Sequence, residues 1–285
     1  MPELPLMLKA ALPSIPVVNQ LPGVRKTKGD FEGLERSRTG VHIEREHVDR
    51  YAAVCGFPTK DTVPLPYPHL LAFELQMGIM TDPGFPAPAI GTVHLENSIT
   101  QHRPVAVGET VDVAASAGPA RPHPKGTVYD FVTVVTAGGE TVWEETSSYL
   151  RRGRGDESAP SGQSFPDAES HGIVWRLPGD LGRTYAAVSG DHNPIHLYAL
   201  TAKALGFPRQ IAHGMWTMAR CVAALENRIP DAATVDVAFK RPVLLPGSVR
   251  FGSTPLADGF AFNLTSPKDG SPHLVGRTTA LVSKT

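Results

Sequence analysis

Residues 185–196 read YAAVSGDHNPIH, and their first six letters return earlier in the chain as YAAVCG at residues 51–56. The two copies differ only at Cys55 and Ser189 and are separated by an offset of 134. A second pair, HRPV at 102–105 and KRPV at 240–243, repeats in the same order at an offset of 138. Two matches in nearly constant register favour duplication of one structural unit.

A change in composition separates the two copies. Residues 151–170 read RRGRGDESAPSGQSFPDAES, in which Gly, Ser, Pro and charged residues replace any apolar pattern. Such a stretch is typical of a linker. We therefore expect a first unit at 1–150, a linker at 151–170 and a second unit at 171–285.

Each unit shows the same order of elements. A short helix ends at Gly56 and again at Gly190, and a longer apolar helix follows over 70–80 and over 214–227. Strand-like alternation then covers 128–135, 141–150, 235–239, 259–265 and 273–283. Helices followed by successive strands predict an α+β fold, with an antiparallel sheet and a helix across one face in each unit.

Composition excludes several classes of protein. The 285 residues carry 27 Lys and Arg against 28 Asp and Glu, which argues against a nucleic-acid partner. Two cysteines, Cys55 and Cys221, exclude a disulfide framework. The apolar stretch at 1–16 is broken by four prolines, and no apolar run reaches the roughly 18 to 20 residues of a membrane span. We expect no signal peptide, no membrane insertion and a cytoplasmic location.

The segment with the most chemical information is the loop from Asp191 to His196. A carboxylate and an imidazole in one loop form a suitable pair for moving protons. Pro194 and the restriction that it places on Asn193 predict a bent, non-helical loop that turns both groups toward one volume. The alternative is an ordinary surface turn, since Asp, Asn, Gly and Pro are common turn residues.

Two other chemistries fit this loop less well. His192 and His196 have the spacing of two metal ligands on a helix, but Pro194 interrupts that helix, so we expect no metal site. Ser189 lacks the glycine two residues earlier that a nucleophile elbow needs, since Ala187 stands there.

A second candidate segment, His213-Gly214, opens the long helix of the second unit. Helix starts expose unpaired N–H groups with partial positive charge, and Gly214 lets a carbonyl oxygen approach closely. Such a site suits a thioester oxygen that gains negative charge. The alternatives are a buried core histidine at 213 and close helix packing at 214.

Together these segments resemble the hydratase motif of the MaoC-like, (R)-specific enoyl-CoA hydratases. The motif is carried by Tyr185, 189–196 (SGDHNPIH), Ala202, 206–207 (GF) and 211–215 (IAHGM). The resemblance is strong over 181–227, and the first unit shares it only through the repeat. Tyr198 departs from the family, in which many relatives carry an acidic residue two places after the histidine, and this puts the support of the loop in question.

The resemblance implies a double hot dog fold, with a long helix wrapped by an antiparallel sheet in each unit. It implies that Asp191 and His196 are the catalytic pair and that the Gly214 N–H binds the thioester carbonyl. We expect Asn193, Ser189 and His213 to complete the substrate-binding part of the site. The implied activity is reversible hydration of trans-2-enoyl thioesters to (R)-3-hydroxyacyl thioesters, in fatty acid metabolism. It requires no cofactor beyond the CoA or phosphopantetheine arm of an acyl-CoA or acyl carrier protein substrate.

The offset of 134 places Asp191 opposite Phe57 and His196 opposite Thr62, so the first unit is expected to lack the catalytic pair. The spacing from Gly56 to His69 is 13 residues, against 23 from Gly190 to His213, and the missing structure leaves room for an acyl tail lined by residues 63–69.

Two other functions remain open: a hot dog acyl-thioesterase, and a non-catalytic acyl-thioester binding partner subunit. A monomer and a homodimer are both compatible with a doubled chain. Lys240 and Arg241 could meet the phosphates of the substrate arm, but solvated strand-end charges explain them as well.

Overall fold

A computed structural model describes residues 31–89, 91–169 and 171–281 of the chain. The first unit contains β1 (Glu35–His42), α1 (Arg45–Cys55), α2 (Pro68–Thr81), β2 (Thr92–Gln101), β3 (Thr110–His123), β4 (Gly126–Ala137) and β5 (Glu140–Arg152). The second contains β6 (Val174–Leu177), α3 (Leu181–Ser189), α4 (Pro194–Leu197), α5 (Ala199–Ala204), α6 (Gly214–Leu225), β7 (Ala233–Phe239), β8 (Gly247–Leu256), β9 (Gly259–Thr265) and β10 (Pro272–Ala280). A 3₁₀ turn over Glu226–Arg228 follows α6.

All ten strands form one antiparallel sheet in the order β1-β3-β4-β5-β2-β7-β10-β9-β8-β6. The order reads the same from both ends when β1 to β5 are matched with β6 to β10, so the two units are related by a pseudo-twofold axis. Strands β2 and β7 join the units, and the hydroxyl of Ser98 donates to Asp236 across this junction at 2.6 Å. The repeat found in the sequence is therefore a structural duplication.

The short helices end as their sequences predict. Gly56 and Gly190 adopt left-handed φ angles of 81° and 74°, which favour glycine, and each N–H donates to the carbonyl four residues earlier. Helices α1 and α3 meet between the units, where His47 Nε2 lies 2.8 Å from the Val188 carbonyl oxygen.

The long helices lie against the inner face of the sheet. Ten of the fourteen residues of α2 are buried. Because the helix is enclosed on most sides, its sequence is apolar nearly all round and shows no distinct polar face. Helix α6 is anchored to the first unit by the Trp216 indole N–H, which donates to the Val54 carbonyl at 3.0 Å. Two long helices wrapped by one sheet form the double hot dog that the sequence resemblance implies.

Seven elements of the described residues were not predicted from the sequence: strands β1, β2, β3, β6 and β8, and helices α4 and α5. Strands β1 and β6 precede the first helix of each unit. They lie at the two edges of the sheet, and β1 is exposed along nearly its whole length, so it lacks the alternation that identifies a half-buried strand. Helices α4 and α5 both lie in the loop that separates α3 from α6.

Strand β5 continues to Arg152, two residues into the stretch assigned to the linker. Both cysteines are buried and free. No helix within the described ranges is long and apolar enough to cross a membrane.

Candidate active site

The loop between α3 and α6 carries the candidate catalytic pair. Pro194 begins α4, and the side chain of Asn193 caps this helix by accepting from the Ile195 N–H at 3.4 Å. Proline is favoured at the first helical position because its missing N–H is not needed there. The expectation of a non-helical loop therefore holds for residues 191–193 and is wrong for 194–197, where a single helical turn carries His196.

Asp191 is fixed by two hydrogen bonds within the loop. Its backbone N–H donates to Ser189 Oγ at 3.2 Å, and its Oδ1 accepts from the Asn193 N–H at 3.0 Å. These bonds orient the carboxylate and leave Oδ2 free to face the neighbouring imidazoles. Ser189 and Asn193 thus shape the loop, and their expected contact with substrate stays a prediction.

His196 points its Nε2 at the carboxylate. Its Nδ1 lies 2.9 Å from the Ile211 carbonyl oxygen. A carbonyl oxygen can only accept a hydrogen bond, so in the neutral ring the proton is on Nδ1. The lone pair on Nε2 then lies 3.9 Å from Asp191 Oδ2. The side chain of Asp191 is 24% exposed and that of His196 only 9%, so the carboxylate faces the cleft and the imidazole lies behind it.

His213 completes a three-residue cluster. Its Nε2 lies 2.9 Å from the Asp191 carbonyl oxygen and 3.8 Å from Oδ2, and its ring stacks on His196 with centroids 3.7 Å apart. The bond to the carbonyl places the proton of the neutral ring on Nε2. Its Nδ1 is buried without a partner among the described residues. The centroids of the His213 and Tyr185 rings lie 4.9 Å apart. The expected substrate contact of His213 stays a prediction.

Burial and mutual charge set the protonation of the cluster. Burial lowers the pKa of His196 although Asp191 opposes the shift, and burial together with His196 lowers the pKa of His213 to about 3. Burial alone would raise the pKa of Asp191, but His213, His196 and the Asn193 N–H hold it below its usual value. Near neutral pH the cluster therefore holds one carboxylate and two neutral imidazoles.

The same three residues bring three potential metal-ligating atoms together. One atom from each lies within 4.8 Å of the other two. However, the hydrogen bond from His213 Nε2 to the Asp191 carbonyl keeps that nitrogen protonated and removes it from the donor set. The donor set then contains one carboxylate oxygen and one imidazole nitrogen, fewer than the three protein ligands of a catalytic zinc site.

Gly214 stands at the start of α6, where its N–H has no partner within the helix. A methyl group on Gly214 would meet the Phe239 ring at 3.3 Å, so only glycine leaves the helix start open beside this ring. Phe239 lies 4.8 Å from the ring of His94, which in turn stacks on Tyr149 at 4.4 Å. Half-buried aromatic rings thus lead from Gly214 into the first unit.

A buried polar cluster of the first unit lies behind these rings. Glu145 accepts from Nδ1 of His69 at 2.7 Å and from the amide nitrogens of Asn97 at 2.7 Å and Gln76 at 3.1 Å. Neither this cluster nor His94 was predicted from the sequence. Each residue stands alone on its own element, and only the sheet register, which pairs Asn97 with Ser147 two residues beyond Glu145, brings them together.

Between Gly56 and Thr62 the first unit has no counterpart of the loop that carries Asp191 and His196. An isolated bridge pairs Thr62 with Ala106, and the equivalent bridge in the second unit pairs Ile211 with Leu244. Thr62 therefore occupies the position of Ile211, and the offset of 134 does not carry His196 onto it, because the loop after Gly190 is longer. Residues 63–69 are all buried, and their proposed role in lining an acyl pocket stays a prediction.

Comparison with known proteins adds to this geometry. The family profile described as MaoC like domain matches residues 179–254. The chain is 37% identical over 274 residues to 3-hydroxyacyl-thioester dehydratase X of Mycobacterium tuberculosis, covering 95% of this chain and 94% of that one. It is 36% identical over 63 residues to 3-hydroxybutyryl-CoA dehydratase of Methylorubrum extorquens, covering 21% and 40% of the two chains.

Solved structures share the fold. The crystal structure of HtdX of Mycobacterium tuberculosis matches with a TM-score of 0.77 at 36% identity. The match covers 87% of this chain and 100% of that chain. A MaoC-like dehydratase from Phytophthora capsici matches with a TM-score of 0.74 at 18% identity, covering 89% and 97%. The second likeness concerns the fold alone.

Proposed function

The chain belongs to the MaoC-like dehydratase family, and on that premise we propose that it adds water reversibly across the C2–C3 double bond of a trans-2-enoyl thioester. The product is an (R)-3-hydroxyacyl thioester, and the reverse reaction is the dehydration for which its relative from Mycobacterium tuberculosis is named. The enzyme is thus a hydro-lyase.

The separation of Asp191 Oδ2 from His196 Nε2 carries this proposal. Both atoms are hydrogen-bond acceptors, and at 3.9 Å apart they can each accept one hydrogen bond from a single water molecule. A water that donates to both atoms turns its own lone pair away from them, toward the cleft. It is then oriented for attack on C3.

The atoms balance in both directions. The water oxygen bonds to C3 as one water O–H bond breaks and the pair takes that proton. The π electrons of the C2–C3 double bond move to the thioester carbonyl oxygen as an enolate, which collapses as the pair returns a proton to C2. Negative charge that develops on the thioester oxygen is stabilised by the unpaired N–H of Gly214 and the positive end of α6. Because the two groups interact strongly, the proton belongs to the pair and not to one member.

The carrier of the acyl chain is CoA or the phosphopantetheine arm of a carrier protein, in either case a part of the substrate. We propose fatty acid metabolism in the cytoplasm as the setting. The proposal requires neither a metal nor a redox cofactor, since water supplies both the hydroxyl group and the proton.

The test is the loss of enoyl-thioester absorbance with crotonyl-CoA. Asp191→Asn and His196→Gln should each reduce kcat by about 10²- to 10⁴-fold, the usual contribution of general acid–base catalysis. His192→Gln is the matched control, because His192 is an exposed imidazole of the same loop. It should retain full activity, as should the wild type after dialysis against a chelator.

Product identity separates the alternatives. Formation of 3-hydroxybutyryl-CoA supports the proposal, whereas release of free CoA thiol would indicate a thioesterase. Tight binding of crotonyl-CoA without turnover would indicate a non-catalytic subunit. Full activity in both site variants, folded by circular dichroism, would refute the assignment of the pair.

A further inference from the structure

A cleft with a partly buried arginine lies between the last turn of α1, the first turn of α3, helix α6 and the edge strand β6. Its volume is about 420 Å³, which is within the range of small-molecule sites. No carboxylate of the described residues lines it, and Arg176, which borders it, is exposed. The wall around the buried arginine is apolar and is formed by Val54, Trp175, Leu177, Leu181 and Trp216, with Arg220 as the charged member.

The guanidinium of Arg220 is held in place by the protein. Its central carbon lies 4.3 Å from the centre of the Trp175 ring, a cation–π contact. A methyl group on Gly56 would come within 2.5 Å of Nη1, so the guanidinium also lies against the backbone at the end of α1. The partial negative charge of a helix C-terminus favours a cation there. Arg220 is therefore positioned before any ligand is present.

The hydrogen-bond donors of Arg220 are unused. A guanidinium carries five N–H donors in a planar fork, and Arg220 makes no hydrogen bond or ion pair with any residue in the described ranges. None of its nitrogens is sealed from solvent, so these donors are open to the cleft. Burial lowers the pKa of Arg220, and no carboxylate of those ranges opposes the shift. An anionic ligand would offset the cost of keeping this charge partly buried.

The cleft lies on a different face of α6 from the candidate active site. Trp216 and Arg220 are four residues apart and share one face of the helix. At about 100° per residue, Gly214 lies about 160° from Trp216 and about 120° from Arg220 around the helix axis. Gly214 faces Phe239, which does not line the cleft. A ligand beside Arg220 therefore does not occupy the position proposed for the thioester oxygen.

We propose that this cleft binds an apolar monocarboxylate, with its carboxylate on Arg220 and its hydrocarbon body against Trp216 and Leu181. The planar fork of a guanidinium matches the two oxygens of a carboxylate. Burial of the hydrocarbon body against the apolar wall supplies further affinity. A nucleotide or another multiply charged phosphate fits less well, because it would meet one partly buried cation and leave the apolar wall uncovered.

The test uses decanoate as the probe. Two of the three tryptophans of the chain, Trp175 and Trp216, line the cleft, so intrinsic fluorescence reports binding. Decanol, which has the same chain without the charge, and acetate, which has the charge without the chain, should each bind at least about tenfold more weakly.

Variants locate the site. Arg220→Gln should weaken decanoate binding about tenfold or more, and Arg220→Lys, which keeps the charge without the fork, should fall between this variant and the wild type. Arg228→Gln is the matched control, because Arg228 also stacks on an aromatic ring, Phe260 at 4.7 Å, but lies outside the cleft. Decanoate should raise the urea midpoint of the wild type and of Arg228→Gln and leave that of Arg220→Gln unchanged.

Several results would overturn the proposal. These are no decanoate binding by the wild type, equal binding of decanol, and an equal loss of binding in Arg228→Gln. Displacement of decanoate by crotonyl-CoA would place it in the acyl site instead, and binding of free CoA that depends on Arg220 would indicate a phosphate site. Dissociation of an oligomer in Arg220→Gln would mean that the guanidinium meets a second copy of the chain. None of these readouts requires turnover, so they stand apart from the test of the proposed function.

Discussion

At the scale of single residues, one carboxylate shares its surroundings with two imidazoles, and hydrogen bonds decide which nitrogen of each ring carries the proton. Nδ1 of His196 donates to the Ile211 carbonyl, and Nε2 of His213 donates to the Asp191 carbonyl. The only free lone pair that faces the carboxylate is thus on His196 Nε2. His213 acts on the pair by holding the loop and stacking on His196.

These protonation states predict the pH dependence of activity. The active form has Asp191 ionised and His196 neutral, and burial lowers the pKa of His196 below its ordinary value of about 6.5. The carboxyl of Asp191 also titrates below its usual range. As pH falls from 8, kcat/KM for crotonyl-CoA hydration should therefore remain level to about pH 6.5 and decline only below it.

The profile is measured from initial rates in buffers of constant ionic strength. The apparent midpoint belongs to the coupled pair, so its position, and not a residue assignment, is the observable. A decline that already begins above neutral pH would contradict the neutral, buried state of His196.

At the residue scale the motif around Pro194 predicted that Asp191 and His196 lie together, and their side chains are 3.9 Å apart; their catalytic role stays a prediction. The sequence could not predict the orientation of His213, because its partner is a backbone carbonyl 22 positions away in the chain. The cluster around Glu145 was also beyond prediction from sequence, since no local pattern links His69 with a strand 76 positions later.

At the scale of elements, a single substitution can separate the structural role of the start of α6 from its proposed role in binding the thioester oxygen. Gly214→Ala should keep or raise the stability of the helix, because alanine exceeds glycine in helix propensity by up to about 1 kcal/mol. The added methyl group would press on Phe239 at 3.3 Å and cover the N–H that receives the thioester oxygen. We expect kcat/KM to fall by up to about 10²- to 10³-fold, the cost of losing one oxyanion donor.

Gly78→Ala in α2 is the control for this experiment, because its methyl group would meet only Arg36 Cγ, at 3.8 Å. Urea unfolding and crotonyl-CoA kinetics are measured on both variants. A Gly214→Ala enzyme with normal kcat/KM would exclude the Gly214 N–H as the thioester-binding group.

The elements predicted from the sequence are those whose identity and ends are marked by their own residues. Helix α6 begins at Gly214 as expected, and β9 matches its predicted bounds, since both are mainly apolar, largely buried segments with clear end signals. Strand β1 was not predicted because backbone pairing with β3, and not the burial of its side chains, holds it in place. Helix α4 was not predicted because its four residues are too few to show a helical period.

At the scale of the whole molecule, duplication has produced two units within a continuous sheet, and only the second carries the loop with Asp191 and His196. The catalytic loop extends the connection between Gly190 and Ile211, and the first unit closes the same connection directly from Gly56 to Thr62. The first unit instead contributes His94 and Tyr149 beyond Phe239. Imidazoles whose pKa is lowered by burial are present in both halves.

The two halves together predict how global stability depends on pH. Burial lowers the pKa of His94 and of His213 to about 3 each, whereas the unfolded chain titrates its histidines near their ordinary value of about 6.5. Between these limits the unfolded state binds more protons, so the free energy of unfolding falls as pH decreases. Each residue contributes about 1.4 kcal/mol per pH unit over that window.

Urea unfolding at several values from pH 7 to pH 4 measures this slope. His94→Phe keeps an aromatic ring between Tyr149 and Phe239 but cannot take up a proton, so the slope below pH 6 should decrease by about 1.4 kcal/mol per pH unit. His192→Gln removes an exposed imidazole and should leave the slope as it is in the wild type. An unchanged slope in His94→Phe would mean that His94 is already protonated in the folded protein, and the polar cluster of the first unit would then hold a charge next to the active site.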